Sequence, residues 1–211
     1  MNEFVADPNT MQTLTAVAAG LGLSAAAGFR VFVPLFIMSV CQRFGIAIDV
    51  PLAEDFEWLS SWPAMVMFGV ATLAEVGAYY VPWVDNLLDT IATPAAIVSG
   101  TLISASVMPA MPDAVQWAGA LLVGGGSAGI VQGGTVLLRA GSTATSGGLA
   151  NPAVSTGEAG GAVATSILAM LIPLILAVIL LIAFVFIGIR LIKFFRDRKR
   201  TPAGPPAPAG G

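Results

Sequence analysis

The chain contains no histidine and a single cysteine, Cys41, among its 211 residues. Without histidine there is no imidazole to act as a base, to bind a metal or to change its charge near neutral pH. One cysteine cannot form a disulfide within the chain. Chemistry that depends on zinc, haem or thiols is therefore disfavoured, and we expect no cofactor.

Charged residues are also scarce. They make up 10% of the chain, whereas soluble domains usually carry about 25%. Hydrophobic residues make up 56%. This balance predicts an integral membrane protein. Residues 1–12 form a short N-terminal segment with acidic but no basic residues, so they lack the positive region of a secretory signal peptide. We therefore expect the first helix to remain in the mature protein.

Apolar runs of the length that crosses a bilayer, about 20 residues, occur five times in the chain. We predict an all-α, polytopic helical membrane domain over residues 13–190 with about five transmembrane helices. The predicted spans are about 13–40, 62–81, 90–108, 114–138 and 162–190. The first is longer than a bilayer requires and contains Gly28, Arg30 and Pro34, so we expect a tilted, kinked or broken helix there.

Between the last two predicted spans, residues 139–161 are rich in small polar residues, and we expect a flexible connector. Arg139 would lie at the membrane interface and Glu158 near the start of the last helix. Within that helix, Pro173 is expected to cause a kink.

The basic residues are concentrated behind the last span. A basic juxtamembrane cluster marks the cytoplasmic side of a membrane, so we predict a cytoplasmic C-terminus. The same cluster could contact anionic lipids, and we expect the bilayer rather than nucleic acid as the partner. Residues 191–211 are predicted to be a basic juxtamembrane segment followed by a disordered Pro/Gly/Ala tail. The cluster consists of Arg190, Lys193, Arg196, Arg198, Lys199 and Arg200.

A weak internal repeat also emerges. Shifting the sequence by 103 residues aligns residues 21–35 with residues 124–138 and gives five identities in fifteen positions. If the repeat unit contains three spans, the second copy is inverted relative to the first, as in many transporters. A degenerate inverted repeat is one interpretation. Chance similarity between small and aliphatic residues is the other.

Two charges inside the apolar spans are candidates for function. Arg30 lies far from either end of the first span, and Glu75 lies six residues before the expected end of the second. Charges within a membrane are costly and usually face a partner or a hydrated cavity. Arg30 either snorkels at a helix break near Gly28 or pairs with a carboxylate, for which Glu75 is the best candidate.

Asp85 and Asp89 follow Glu75 at helical spacing and complete a candidate ion or substrate site. They also have a structural interpretation, in which Asp85 caps the third helix and Asp89 lies in its first turn. Pro82 would end the second helix. No metal can be assigned to these carboxylates from the sequence.

The glycine-rich stretch 124–134 lacks the lysine and the flanking strand of a phosphate-binding loop. In a membrane, its small residues at four-residue spacing favour close helix packing through Gly125, Gly129 and Gly133. Such faces are also compatible with a homo-oligomer.

Two motifs resemble a known family. They are "AAGFRVFVPL", residues 26–35, and a pattern formed by Glu75, Pro82, Asp85, Asp89, Pro94 and Gly100. Together they resemble the bacterial membrane family called domain of unknown function 4126. The resemblance implies a multi-pass protein of the bacterial inner membrane and assigns no activity. Tyr79 and Tyr80 stand where that family has an Asp-Lys pair.

Two functions remain open. In the first, the protein is a small cation- or proton-coupled transporter or channel component that uses Glu75, with Asp85 and Asp89 nearby and Arg30 opposing them. In the second, it is a membrane scaffold or accessory subunit in which Arg30 and Glu75 form a structural interhelical pair. We do not expect an enzyme, because histidine, a positioned nucleophile and a metal cluster are all missing from the pattern.

Overall fold

The computed structural model describes residues 8–46, 50–80, 82–108 and 111–200. The side chains at 8, 9, 82–87, 89, 195 and 197–200 lie outside this description. Most of the described residues are helical, and none of them forms a strand. The helices are α1 (Pro8–Ala27), α2 (Phe32–Phe44), α3 (Trp62–Ala78), α4 (Pro82–Val107), α5 (Asp113–Ala120), α6 (Gly126–Ser146), α7 (Asn151–Leu171) and α8 (Pro173–Arg200).

Two shorter helical elements complete the chain order. A 3₁₀ helix, Glu54–Ser60, precedes α3, and a π-helical turn, Leu121–Gly125, joins α5 to α6. Over the described ranges, four helices are long and apolar enough to cross a membrane, or five if the 3₁₀ helix and α3, bent by 65°, form one span. The predicted all-α, multi-pass class with about five spans is therefore confirmed.

The first predicted span is two helices. α1 begins at Pro8, ends at Ala27 and is separated from α2 by residues 28–31. A Cβ atom on Gly28 would lie 2.5 Å from the carbonyl oxygen of Ala128 and 2.6 Å from the Cβ of Val131. Only glycine therefore fits where the break passes α6. The expectation of a broken first helix is confirmed.

The boundary between α3 and α4 differs from the prediction. α3 ends at Ala78, and Pro82 begins α4 rather than ending the helix before it. Proline is well suited to a first helical position, because that residue needs no N–H partner. Asp85 is consequently the fourth residue of α4 and Asp89 the eighth. The prediction that Asp85 caps this helix was wrong, because the helix begins three residues earlier.

The end of the membrane domain also differs. The expected connector, residues 139–161, is mostly helical: α6 continues to Ser146, and α7 starts at Asn151. The predicted last span is divided at Ile172, where the backbone leaves the helical region with φ −139° and ψ 55°. Pro173 follows, and proline disfavours the helical conformation of the residue before it. α8 then continues through the basic cluster to Arg200, and the predicted tail, 201–211, lies outside the described residues.

α1 is the central helix of the first of two compact units, which ends at Ala177; the second begins at Val178. It contacts α2, α4, α6, α7 and the π-helical turn. Its buried residues are mostly alanine, glycine and serine, which let neighbouring helices approach closely. The short side chains of α1 therefore allow four helices to surround it.

The backbones of α4 and the π-helical turn approach each other closely. A Cβ on Gly124 would collide with the carbonyl oxygen of Gly100, and one on Gly125 would lie 2.7 Å from Oγ1 of Thr101. At Gly129 a Cβ would make an ordinary contact with Ile97 at 3.5 Å, and at Gly133 it would meet no described atom within 4 Å. Close packing thus centres on Gly124 and Gly125. The repeat-aligned segments also differ locally, since 21–35 contains a helix break and 124–138 does not.

Candidate functional site

Glu75 binds the N-terminus of α2. Its Oε1 accepts a hydrogen bond of 2.7 Å from the backbone N–H of Val31, and its Oε2 accepts one of 3.0 Å from that of Phe32. The first N–H groups of a helix have no partner within the helix, and they carry its partial positive charge. The carboxylate therefore supplies from α3 the cap that the α2 sequence lacks.

Arg30 lies in the same break, just beyond the C-terminus of α1. The residue is only 2% exposed. Its Nη2 donates to the carbonyl oxygen of Ser155 at 2.9 Å and to the Oγ of Ser155 at 2.6 Å, and it lies 3.2 Å from Oε2 of Glu158. The expected ion pair with Glu75 does not form, because Glu75 faces the α2 amides while Arg30 turns toward α7.

Glu158 also binds a second arginine. Nε of Arg139 donates to Oε1 of Glu158 at 3.0 Å, and Nη2 donates to Oε2 at 2.5 Å. Both residues are 5% exposed. The prediction that Glu158 lies in a flexible connector was wrong, because that segment is mostly helical and packs both side chains inside the unit. The expected position of Arg139 at the membrane interface stays a prediction. Two parallel bonds between guanidinium and carboxylate are the strongest form of this contact.

Tyr79 lies between the two arginines. The guanidinium carbon of Arg30 is 3.7 Å from the centre of the Tyr79 ring, and that of Arg139 is 4.5 Å from it. Aromatic faces attract cations, and the effect strengthens when water is excluded. The residue after α3 thus connects the α1–α2 break to α6, while Tyr80 contacts Thr156 of α7 at 2.9 Å.

One edge of Arg30 contacts no acceptor. Its Nε and Nη1 are buried, and neither has a hydrogen-bond partner in the structure as described. Buried N–H groups without partners are uncommon, so each such group in a protein calls for a water molecule or another acceptor. Arg30 is therefore fully engaged on one side only.

The remaining predicted residues contribute differently. Asp85 and Asp89 belong to the first turns of α4, and their side chains are outside the described part of the chain. Within the described part of the chain, no three acidic or cysteine side chains come close enough to hold a metal ion. The described cluster consists of Arg30, Glu75, Tyr79, Arg139 and Glu158.

Arg139 and Glu158 are visible in the sequence as isolated charges. The small polar residues between them led to the prediction of a flexible connector rather than of an ion pair. Each is an isolated charge in a segment of small residues, and they lie 19 residues apart. Arg139 and Glu158 have opposite charges and no nearby charged residue in the sequence. This would have suggested that they pair with each other. The local sequence pattern does not show that Arg139 and Glu158 belong to two helices, α6 and α7, whose connecting turn brings the two side chains together.

Chemically, Glu75 is a carboxylate that could take up and release a proton. Arg30, Arg139 and Glu158 form an ion-pair network beside it. Glu75 is partly buried, and its two oxygens contact backbone amides rather than a permanent countercharge. Glu158, by contrast, is held by two guanidinium groups. A proton added to Glu75 would directly alter the contact that holds the start of α2.

Comparison with known proteins agrees with the sequence motifs. No curated protein and no solved structure matches the chain. The family described as domain of unknown function, DUF4126, matches residues 17–193, which include every member of the cluster. Because the match covers well over half of the 211 residues, the chain belongs to the DUF4126 family.

Proposed function

We propose that this protein is a small proton-coupled membrane transporter in which Glu75 takes up and releases the proton. The observation that carries the proposal is the bidentate contact between Glu75 and the backbone amides of Val31 and Phe32 at a break between two helices. Ionisable residues within membrane segments commonly mark proton relays and substrate paths. Discontinuous helices form the binding sites of many transporters.

Protonation of Glu75 would change the structure at this break. A carboxylate accepts a hydrogen bond equally well at both oxygens, whereas a carboxylic acid has a proton on one of them and becomes a donor there. One of the two N–H groups, from Val31 or Phe32, would then lose its acceptor. The favourable interaction between the negative charge and the α2 dipole would be lost as well. Uptake of a proton therefore loosens α2 from α3.

A proton suits Glu75 better than a metal cation. Both carboxylate oxygens already receive N–H donors, whose positive ends repel a cation. Hard cations such as Ca²⁺ take six to eight oxygen ligands. Among the described residues, no three acidic side chains cluster closely enough to supply them. Of the two coupling ions that the sequence left open, we therefore favour the proton.

The Arg30–Glu158–Arg139 network would act as the fixed part of the mechanism. It joins the α1–α2 break to α6 and α7 through contacts of 3.2 Å or less. Arg30 keeps a positive charge beside the position that Glu75 occupies when it is ionised. When Glu75 is protonated, Arg30, Arg139 and Glu158 would together keep one net positive charge, which would attract an anionic group of a solute.

The test is proton flux in proteoliposomes that contain a pH-sensitive dye, with the membrane potential clamped by valinomycin and potassium. Amino acids, sugars and small carboxylates are added in turn as solutes. We expect wild-type vesicles to acidify with at least one class of solute. Glu75→Gln should reduce the flux to that of protein-free vesicles, because an amide can cap α2 through its oxygen but cannot ionise.

Asp113→Asn is the matched control, because Asp113 is an exposed carboxylate in the first turn of α5. This substitution should leave the flux unchanged. Wild-type vesicles that acidify with none of the solutes, or a Glu75→Gln variant that moves protons at the wild-type rate, would contradict the proposal.

The second candidate is a scaffold or accessory subunit. The observation that favours it is the buried ion pair between Arg139 and Glu158, which connects α6 to α7 whether or not a proton moves at Glu75. In that case wild-type proteoliposomes should show no solute-dependent proton flux, and Arg139→Gln and Glu158→Gln should each lower expression because they break the pair that joins α6 to α7.

The remaining proposals concern activity, location, lipid contacts and oligomeric state. We propose that the protein is not an enzyme and that it resides in a bacterial inner membrane with a cytoplasmic C-terminus. Anionic lipids would contact the basic end of α8, where Arg190, Lys193 and Arg196 are exposed. A homo-oligomer could form through exposed glycines of α6.

A further inference from the structure

A cavity of about 290 Å³ lies between the 3₁₀ helix, α2, α3 and α4. Its walls are almost entirely apolar, with Phe32, Leu35, Phe56, Trp58 and Phe68 among the lining residues. The lone hydroxyl in the lining, that of Ser99, already donates to the carbonyl oxygen of Val31 at 3.1 Å. A ligand of this cavity must therefore present an apolar surface to it.

The volume limits the size of that ligand. Sites for drug-sized molecules usually measure roughly 300–1,000 Å³, so this cavity is at the small end. A single narrow apolar group fits, such as one hydrocarbon chain. A folded partner or a ligand with several rings does not.

The cavity opens toward the bilayer. Trp58 and Val98 line it and are 50% and 58% exposed. The neighbouring outer face of α3 is apolar, with Val70 63% and Leu73 76% exposed. In a multi-pass membrane protein such a face contacts lipid, so the molecules that reach the opening first are lipid acyl chains.

The 3₁₀ helix that forms one wall of the cavity also carries charge. Its first turn carries Glu54, Asp55 and Glu57, all exposed, while Phe56 points inward and lines the cavity. Ionised carboxylates are strongly disfavoured in hydrocarbon and belong at the headgroup level. The 3₁₀ helix therefore contributes apolar side chains to the cavity and exposed carboxylates outside it.

A basic group lies in the same region. The guanidinium of Arg43 stacks on Trp62, just beyond the 3₁₀ helix, with its carbon 5.2 Å from the ring centre. The elements around the cavity thus carry three exposed carboxylates on the 3₁₀ helix and one arginine on α2, which match a headgroup that has both an ammonium and a phosphate group. A headgroup with a net negative charge would meet repulsion from the carboxylates.

We propose that this cavity binds one acyl chain of a bilayer phospholipid whose headgroup carries an ammonium group, such as phosphatidylethanolamine. The chain occupies the space between α2 and α4, and the ammonium group lies beside the acidic face of the 3₁₀ helix. This lipid site does not depend on proton uptake by Glu75. Its lining includes Val31 and Phe32, so an occupied cavity would press against the residues that Glu75 binds.

Fluorescence of Trp58 provides the test, because this residue lines the cavity. The probe protein carries Trp62→Phe, Trp83→Phe and Trp117→Phe, which leaves Trp58 as its one tryptophan. It is placed in nanodiscs that mix phosphatidylethanolamine with phosphatidylglycerol, and only one of the two lipids carries brominated chains. Quenching then shows which lipid lies against Trp58, and the cavity-filling variants below separate chains inside the cavity from chains at the outer surface.

We expect brominated phosphatidylethanolamine to quench Trp58 more strongly than brominated phosphatidylglycerol at the same mole fraction. The preference should be roughly two- to five-fold, as expected for exposed ion pairs. Exchanging Glu54, Asp55 and Glu57 for glutamine or asparagine should remove the preference while leaving chain quenching in place. Equal quenching by both lipids in the protein with its carboxylates intact would overturn the headgroup assignment.

Occupation by the chain is tested separately by filling the cavity. Ala95→Phe places a ring among the lining residues and should lower Trp58 quenching by both lipids. Ala164→Phe on the exposed face of α7 is the matched control and should change nothing. If Ala95→Phe keeps its helical circular dichroism and is quenched like the control, the cavity holds no chain and the proposal fails. If Ala95→Phe does not fold, Leu102→Phe serves as the second filling variant.

Discussion

At the scale of single residues, Glu158 determines where the two buried arginines lie. It binds Arg139 through both oxygens and lies 3.2 Å from Arg30, while the Tyr79 ring lies between the two guanidinium groups. Removing one partner of a buried ion pair leaves an uncompensated charge, which costs far more than the net value of the pair. Glu158 therefore matters more to stability than an average residue of α7.

The first prediction concerns this carboxylate. Glu158→Gln should lower the free energy of unfolding by about 3 to 5 kcal/mol, because two buried guanidinium groups lose their shared negative charge. Thermal unfolding in detergent, followed by circular dichroism, measures the change. Glu54→Gln is the control, since Glu54 is exposed and should shift stability by no more than about 0.5 kcal/mol. A Glu158→Gln variant as stable as this control would contradict the assigned role.

The sequence indicates that Arg30 and Glu75 need partners, because each is a lone charge in an apolar run. A lone charge in an apolar run must have a partner, and both have one. The partner itself was predicted incorrectly, because the two charges lie close along the break without facing each other. Their orientation depends on the exit direction of α1 and on Ser155, which lies 125 residues away. Neither is encoded in local pattern.

At the scale of helices, α4 and the π-helical turn pack with their backbones in close contact. It requires glycine on both sides, because a Cβ on Gly100 would lie 2.6 Å from the carbonyl oxygen of Gly124. Ser24 of α1 adds a hydrogen bond of 2.8 Å to the carbonyl oxygen of Gly100. Three elements thus meet at one backbone position without large side chains.

The second prediction compares the effect on stability of alanine at two nearby glycines, Gly124 and Gly126. Gly124→Ala should destabilise the protein by about 1 to 3 kcal/mol, as expected for an overpacked contact. Gly126→Ala should be neutral or stabilise by up to about 1 kcal/mol, because a Cβ there meets no described atom within 4 Å and alanine favours helix. Chemical unfolding in mixed micelles distinguishes the two. Equal effects at both positions would show that the close approach does not limit stability.

Element types were well predicted from hydropathy, whereas element ends were not. Long apolar runs indicated helices 62–81 and 90–108 because membrane spans must satisfy their backbone hydrogen bonds internally. The helical segment 139–161 was predicted as a loop because its polarity resembles one. Its polar residues are instead buried against other helices, as Ser155 and Glu158 are. Such tertiary burial cannot be inferred from the composition of the segment itself.

At the scale of the whole molecule, the distribution of charge sets the expected orientation. Residues 1–189 carry three basic and eleven acidic groups, whereas the last 22 residues carry six basic groups and one acidic group. The basic residues 190–200 belong to α8 and directly follow its apolar stretch, which is the arrangement that biases topology most strongly. Acidic residues contribute little to this bias, so the acidic residues of 1–189 oppose the orientation set by the basic cluster only weakly.

The third prediction follows from this asymmetry. A green fluorescent protein fused after residue 211 should fluoresce in a bacterial host, and an alkaline phosphatase fused there should be inactive, because the first folds in the cytoplasm and the second requires the periplasm. Replacing the six basic residues of 190–200 by glutamine should produce a mixture of both orientations, since the remaining basic residues are only Arg30, Arg43 and Arg139. Replacing Asp197 by asparagine is the control and should leave the orientation unchanged. High phosphatase activity in the unaltered fusion would place the C-terminus outside and show that another feature of the chain sets its topology.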